Sequence, residues 1–218
     1  MEAREINKAI FSDRVYKPKF AGDVLSNEII RQTRKYINGF ALDVGAGSGG
    51  MMDRLNQLND VIAQGIDQSP TREDIIEASC DSIPFLDEYF NTVVFNAVIE
   101  HLDDITLFNA LEEIRRVMCD DAYLIITTAY KEDMSCNMIT CPYCGNEFHR
   151  WGHVRSYDGA LMIKQLHEHN FEIVRIYHTS LGFLNAHPNL RYLQPVLKLL
   201  GFLQGDEYLI CIAKKAIK

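Results

Sequence analysis

Phe40-Ala41-Leu42-Asp43-Val44-Gly45-Ala46-Gly47-Ser48-Gly49-Gly50 decides the fold. FALDV is a short apolar run, and glycines crowd the positions that follow it. A run of that length ended by glycines predicts a strand that turns sharply. Met51, Met52 and Leu55 then recur at helical spacing, so a helix opens directly from the turn. Gly45, Gly47 and Gly50 formally satisfy G-x-G-x-x-G. Glycines there let the backbone pass close to a ligand, and the first turn of the helix offers unpaired N–H groups. The pattern alone does not say which ligand.

Outward from this loop, the chain alternates. Residues 23–37 (DVLSNEIIRQTRKYI) carry apolar residues at helical spacing. VIAQGID and DIIEAS read as the second and third strands, and NTVVFN, rich in β-branched residues, as the fourth. Residues 103–118 form an amphipathic helix with Asp103 or Asp104 as N-cap. AYLIITT is apolar enough for a strand buried on both faces. DGALMIKQLHEH is a helix, FEIVRIY a sixth strand, residues 189–200 a further helix, and EYLICIA the last strand. Alternating strands and helices predict an α/β fold, a three-layer sandwich around a mostly parallel sheet, with ligands beyond the carboxyl ends of the strands. The 218 residues suit a single domain, 1–218. Its pattern breaks only in a Cys/His-rich insertion at about residues 130–155.

Composition narrows the partners. Hydrophobic residues make up 47%, charged residues 24%, and the net charge is −8. Phosphate-rich partners need a basic surface, so general nucleic-acid binding and anionic membranes are excluded as expectations. Arg31, Arg34 and Lys35 cluster, as a solvated helix face does. No stretch approaches the about 20 apolar residues of a membrane span, and MEAREINKAI lacks the apolar core of a signal peptide. The expected compartment is the cytoplasm, where cysteines stay reduced.

Several segments together resemble class I S-adenosylmethionine (SAM)-dependent methyltransferases of the Rossmann-like, small-molecule type. Leu42-Asp43-Val44-Gly45-Ala46-Gly47-Ser48-Gly49 is similar to their first motif, whose acid two places before the first glycine is not part of the nicotinamide fingerprint. Ser82-Ile83-Pro84-Phe85, Phe90-Asn91-Thr92-Val93-Val94 and Ile99-Glu100-His101-Leu102 resemble the family's LPF, FDVV and LEHL series. Leu111-Glu112-Glu113-Ile114-Arg115-Arg116-Val117 resembles the helix before the fifth strand. The resemblance is close over about residues 38–129 and holds elsewhere by layout. It implies strand order 3-2-1-4-5-7-6 with the last strand antiparallel.

The resemblance also implies a site. Asp43, Gly45, Ala46 and Gly47 would line the methionine end of the cofactor. Asp67 would hold the ribose hydroxyls, Gln68 would sit beside the adenine, and Cys80 would offer its backbone N–H to the adenine edge. Asn96 would face the amino-acid moiety or the acceptor. Ser79 stands where the family usually has an acid for the adenine amino group. Few residues separate Asp67 from the third strand, so the helix usual between strands two and three is missing or reduced to a turn around Pro70. His101 is a candidate general base, against a packing or cofactor-proximal role. Tyr130 and Tyr16 face substrate or pack as ordinary aromatics.

The insertion reads C-NMIT-C-PY-C-GNEF-H-RWG-H over residues 136–153. Cys141-x2-Cys144 followed by glycine resembles a zinc knuckle, and zinc takes four N or S ligands. Of five candidates, Cys141 and Cys144 come first, then Cys136, with His149 or His153 as the fourth; a redox C-x-x-C is the alternative. The expected metal is a structural zinc. The leading expectation is a SAM-dependent methyltransferase acting on a small molecule. A catalytically silent cofactor-fold module whose zinc loop binds a protein partner is the second, and a nicotinamide oxidoreductase is disfavoured by Asp43.

Overall fold

The computed structural model describes residues 21–200 and 208–216. Tyr16 lies outside them. Helix α1 (Ala21–Thr33) leads through a 3-10 turn at Arg34–Tyr36 into strand β1 (Gly39–Val44) and helix α2 (Gly50–Leu55). Strands β2 (Val61–Asp67), β3 (Ile75–Glu77) and β4 (Phe90–Asn96) follow. Helix α3 (Asp104–Val117) precedes the long strand β5 (Met118–Ala129). The insertion folds as a hairpin of β6 (Met138–Thr140) and β7 (Glu147–His149). Helix α4 (Gly159–Glu168), strand β8 (Phe171–Thr179), helices α5 (Leu181–Ala186) and α6 (Gln194–Leu199) and strand β9 (Tyr208–Lys215) complete the chain.

Seven strands form one sheet in the order β3-β2-β1-β4-β5-β9-β8. β1 to β5 are mutually parallel. β9 runs antiparallel between β5 and β8, which is the order and sense expected for the last strand. Strand parity assigns the two faces. Leu42, Val44, Val93, Phe95, Leu124 and Ile126 point to one side, where Leu107, Leu111 and Ile114 of α3 and Met162 and Leu166 of α4 meet them. Ala41, Val94, Ile125 and Ile212 point to the other, against Leu25 and Ile29 of α1 and Met51 and Leu55 of α2. Each such Leu, Ile, Val, Phe or Met side chain contributes about 1.5–3 kcal/mol on burial, so helices on both faces, not strand propensity, hold the sheet.

Helix α3 begins where the sequence predicts. Asp103 is the N-cap, and its carboxylate accepts from Thr106 N–H at 2.8 Å. The crossover between β2 and β3 contains no helix, only turns around Pro70. The return from β3 to β4 contains no helix either, and this leaves the start of the sheet face that α3 covers bare: Ile62 is 66% exposed, Phe40 44% and Ile76 38%. The hairpin β6–β7 and helix α5 were not anticipated, and the expected helix at 189–200 divides into a 3-10 turn at Pro188–Leu193 and α6. Each is three to six residues long, too short for hydrophobic periodicity to register. No helix among the described residues is long and apolar enough to cross a membrane.

Candidate functional site

The parallel register puts the ends of β1 to β5 on one edge. Val44 pairs with Ile66 and with Phe95, Asp67 with Glu77, and Asn96 with Thr127. Every segment implicated by the sequence therefore leaves the sheet on the same side: residues 45–49 after β1, Asp67 and Gln68 at the end of β2, Ser79 and Cys80 after β3, Asn96 to His101 after β4.

Gly45, Gly47 and Gly49 all have positive φ, at +77°, +55° and +83°. At Gly45 a side chain is excluded twice, by backbone conformation and because a Cβ would lie 2.4 Å from Val98 Cγ2. The loop is drawn onto β2 by Gly45 N–H and Ala46 N–H, both donating to Ile66 O at 2.9 Å. Gly47 N–H then donates to Asp67 Oδ2 at 2.9 Å, and Ser69 N–H to Asp67 Oδ1 at 2.8 Å. Asp67 thus links the glycine loop to the turn after β2.

Asp43 is 1% exposed, and its Oδ2 accepts from Met52 N–H at 3.1 Å, in the first turn of α2. A carboxylate at a helix N-terminus satisfies an orphan donor and faces the positive end of the dipole. Asp43 thus braces the loop from behind. Asn96 Oδ1 accepts from the Thr127 hydroxyl, which aims the amide at the end of β4. The next residue, Ala97, has φ +53°, a conformation costly for a side-chain-bearing residue and common at functional sites.

Three contributors carried no sequence signal. Val98 fills the space that the Gly45 side chain would need. Arg72, from the short crossover, donates to Ser48 O at 3.3 Å and pairs with Asp53 at 2.7 Å, clamping the loop to α2. Glu132, just after β5, gathers the histidines of the insertion.

That gathering divides the five expected metal ligands. His149 and His153 stack with ring centroids 4.7 Å apart, and His101 meets His153 edge-on at 4.8 Å. His153 Nδ1 bonds tightly to Glu132 Oε2, and His149 Nε2 lies 3.4 Å from Glu132 Oε1. Cys141 and Cys144 are elsewhere, at the hairpin tip. Met138 pairs with His149, whereas Cys141 N–H bonds to Asn146 O. Three residues along a strand place the thiols about 10 Å from the histidine end. Cys136 precedes the hairpin, its thiol donating to Asp133 Oδ2 at 3.3 Å. Among the described residues the metal-like groupings are Glu100–His101–His153 and Glu132–His149–His153, and no cysteine belongs to either. The tip is still a knuckle in form. Backbone N–H groups of Cys144 and Tyr143, with the Cys144 thiol, point at Cys141 and lower its pKa, and Gly145 takes φ +71°.

Burial reshapes the two groups after β4. It pushes the His101 pKa down to about 3, with the His153 ring adding to the effect. It raises Glu100 to about 7, against the pull of His153. His101 is therefore held neutral at ordinary pH, with its Nδ1 3.3 Å from Gly152 O. Tyr130 stacks on His178 with ring centroids 4.5 Å apart, as packing.

Comparison with known proteins agrees with this geometry. Residues 34–176 match the methyltransferase domain family, and the chain belongs to it. A protein of Methanocaldococcus jannaschii, MJ1252, is 29% identical over 125 residues; the match covers 54% of this chain and 47% of that protein. The chain thus spans about half the length of this curated relative. Among solved structures, Burkholderia thailandensis 1,6-didemethyltoxoflavin-N1-methyltransferase, with bound S-adenosylhomocysteine, superposes with TM-score 0.63 at 12% identity, covering 90% of this chain and 79% of that one. A SAM-dependent methyltransferase from Archaeoglobus fulgidus gives 0.59 at 17%, covering 98% and 100%. The [4+2]-cyclase SpnF gives 0.61 at 18%, covering 90% and 81%. At such identities these likenesses concern the fold.

Proposed function

We propose that this chain binds SAM along the shared edge of β1 to β4 and directs its methyl group to a small molecule. The observation that carries the reading is the junction of Gly47 N–H with Asp67 Oδ2, which sets a strand-end carboxylate beside an open glycine loop. A carboxylate offers about four lone-pair positions, so Asp67 keeps acceptor capacity for ribose hydroxyls after its two backbone bonds. Gly45, Ala46 and Gly47, braced by Asp43, and Asn96 suit the methionine end; Gln68, Ser79 and Cys80 suit the adenine end. When bound, the sulfonium supplies an already activated methyl group, so alignment of the acceptor can account for much of the rate. The net charge of −8 disfavours polyanionic acceptors. The N1-methyltransferase neighbour supports a small one. For the insertion, Cys141 and Cys144 supply two thiolates toward a structural zinc, which needs two further ligands.

Titration calorimetry with S-adenosylhomocysteine and with NADH tests the reading. S-adenosylhomocysteine binds and NADH does not. Asp67→Asn weakens binding about ten-fold or more, as expected for loss of a charge-assisted hydrogen bond. Binding of NADH instead would make the site a nicotinamide site. Binding of neither would favour a silent scaffold, a reading that draws on Ser79 in place of an acid.

A further inference from the structure

The histidine cluster has the chemistry of a metal site, and that chemistry does not depend on methyl transfer. His101 Nδ1 lies 3.3 Å from the carbonyl oxygen of Gly152, and His153 Nδ1 bonds to Glu132 Oε2. A carbonyl or carboxylate oxygen only accepts, so each Nδ1 carries the proton and each neutral ring has its lone pair on Nε2. Backbone carbonyls and carboxylates hold metal-binding histidines in this way, fixing tautomer and ring orientation from behind. One ligand atom from each of Glu100, His101 and His153 lies within 4.8 Å of the other two. Glu100 is 3% exposed, and its Oε2 has no hydrogen-bond partner. A buried carboxylate oxygen without a donor, beside two imidazoles, calls for a cation.

His149 plays another part. Its Nδ1 accepts from His153 N–H at 3.2 Å, which puts its own proton on Nε2, toward Glu132 Oε1. Glu132 thus bonds His153 and lies beside His149, whose Nε2 has no hydrogen-bond partner, and only His153 of the pair presents a lone pair away from the carboxylate. His149 and Glu132 are positioning residues, not ligands.

We propose that Glu100, His101 and His153 bind a first-row divalent cation in a two-histidine, one-carboxylate site, separate from the Cys141–Cys144 knuckle. Imidazole and carboxylate donors suit Fe2+, Co2+ and Zn2+, and three protein ligands leave coordination positions open to an exogenous oxygen or nitrogen. The site follows β4 directly, so an occupied metal would act as a Lewis acid beside the edge where the strands end.

Cobalt(II) alone is the probe, added to chelator-treated full-length protein and to its Cys141→Ser/Cys144→Ser form. In the double variant one Co2+ still binds, giving weak visible bands without the intense near-ultraviolet absorption of cobalt–thiolate bonds. Azide shifts those bands by entering an open position. Glu132→Gln weakens Co2+ binding about 10–100-fold, and His153→Gln weakens it more, with circular dichroism confirming that each variant is folded. The proposal is overturned if the Cys141→Ser/Cys144→Ser protein takes up no Co2+, or if azide leaves its spectrum unchanged. Unweakened binding by folded His153→Gln also overturns it. The Cys141→Ser/Cys144→Ser form requires no change in the cluster itself, so it decides the matter even if a histidine variant fails to fold.

Discussion

The glycine loop takes most of its parts from residues 43–52, with Asp67, Arg72 and Val98 brought to it by the sheet. The histidine cluster takes its parts from residues 100, 101, 132, 149 and 153, and only Glu100 and His101, in the 3-10 turn Ile99–His101, share an element. Both lie beyond the carboxyl ends of parallel strands. In the loop, backbone geometry dominates: three positive-φ glycines, N–H groups aimed at Ile66 O and Asp67, and a carboxylate at a helix start. In the cluster, side chains dominate: one anion, Glu132, bonds the His153 ring and lies 3.4 Å from His149 Nε2. A site made by backbone conformation is intolerant of added atoms. A site made by side chains yields piecemeal, because removing one anchor leaves the scaffold intact.

The largest effect should therefore come from the smallest insertion into the loop. Gly45→Ala forces a left-handed residue to carry a Cβ and drives it to 2.4 Å from Val98 Cγ2. Strain and overpacking together cost roughly 2–4 kcal/mol. Denaturant unfolding should show that loss, and S-adenosylhomocysteine binding should vanish from calorimetry. Adding Val98→Ala relieves the clash but not the backbone strain. The double variant should regain about 1 kcal/mol relative to the sum of the two single changes. Strict additivity would mean that Val98 is not what closes this position.

The same contrast explains what the sequence could disclose. FALDV before clustered glycines, and apolar residues at 107, 111 and 114, are local patterns, and they led to β1, α2 and α3, the last capped by Asp103, one of the two aspartates expected there. Asp67 was legible because it ends a strand at a fixed point of the pattern. Val98 and Arg72 were not, because their role depends on β4 and on the short crossover folding back over the loop. In the insertion, the types of residue pointed to a metal while their grouping did not follow. Proximity along the chain joined Cys141 and Cys144 to His149 and His153, but hairpin pairing places Met138, not a cysteine, opposite His149. Glu100 and Glu132 lie outside the cysteine–histidine run, so no spacing rule within it could find them.

A middle-sized effect separates the two regions. Glu132 accepts from His153 and from Asn137 Nδ2 at 3.1 Å, tying both flanks of the hairpin to the end of β5. Glu132→Ala removes that tie without touching the loop after β1. Amide exchange should speed up across residues 137–153, which open locally rather than with the core. Affinity for S-adenosylhomocysteine should stay within about two-fold, as for sites sharing no contact. A large drop in affinity would show that the insertion and the cofactor edge are one mechanical unit.

The smallest effect is expected on the face that the helix-free return from β3 to β4 leaves uncovered. Ile62 lies in β2 with its side chain on the same face as Ile66, yet it is 66% exposed while Ile66 is 1% exposed. The difference is cover: α3 and its neighbours reach the carboxyl end of the strand but not its start. Ile62→Thr keeps a β-branched residue in the strand, so the local backbone preference is little changed. It removes apolar surface that water already reaches, which should alter stability by no more than about 0.5 kcal/mol in urea unfolding. The equivalent change at Ile66 would bury a hydroxyl in the core and cost several-fold more. If Ile62→Thr instead costs more than about 1 kcal/mol, something covers β2 in solution. Repeating the measurement across protein concentrations would then separate cover by a second copy, which makes the loss concentration-dependent, from cover by this chain itself.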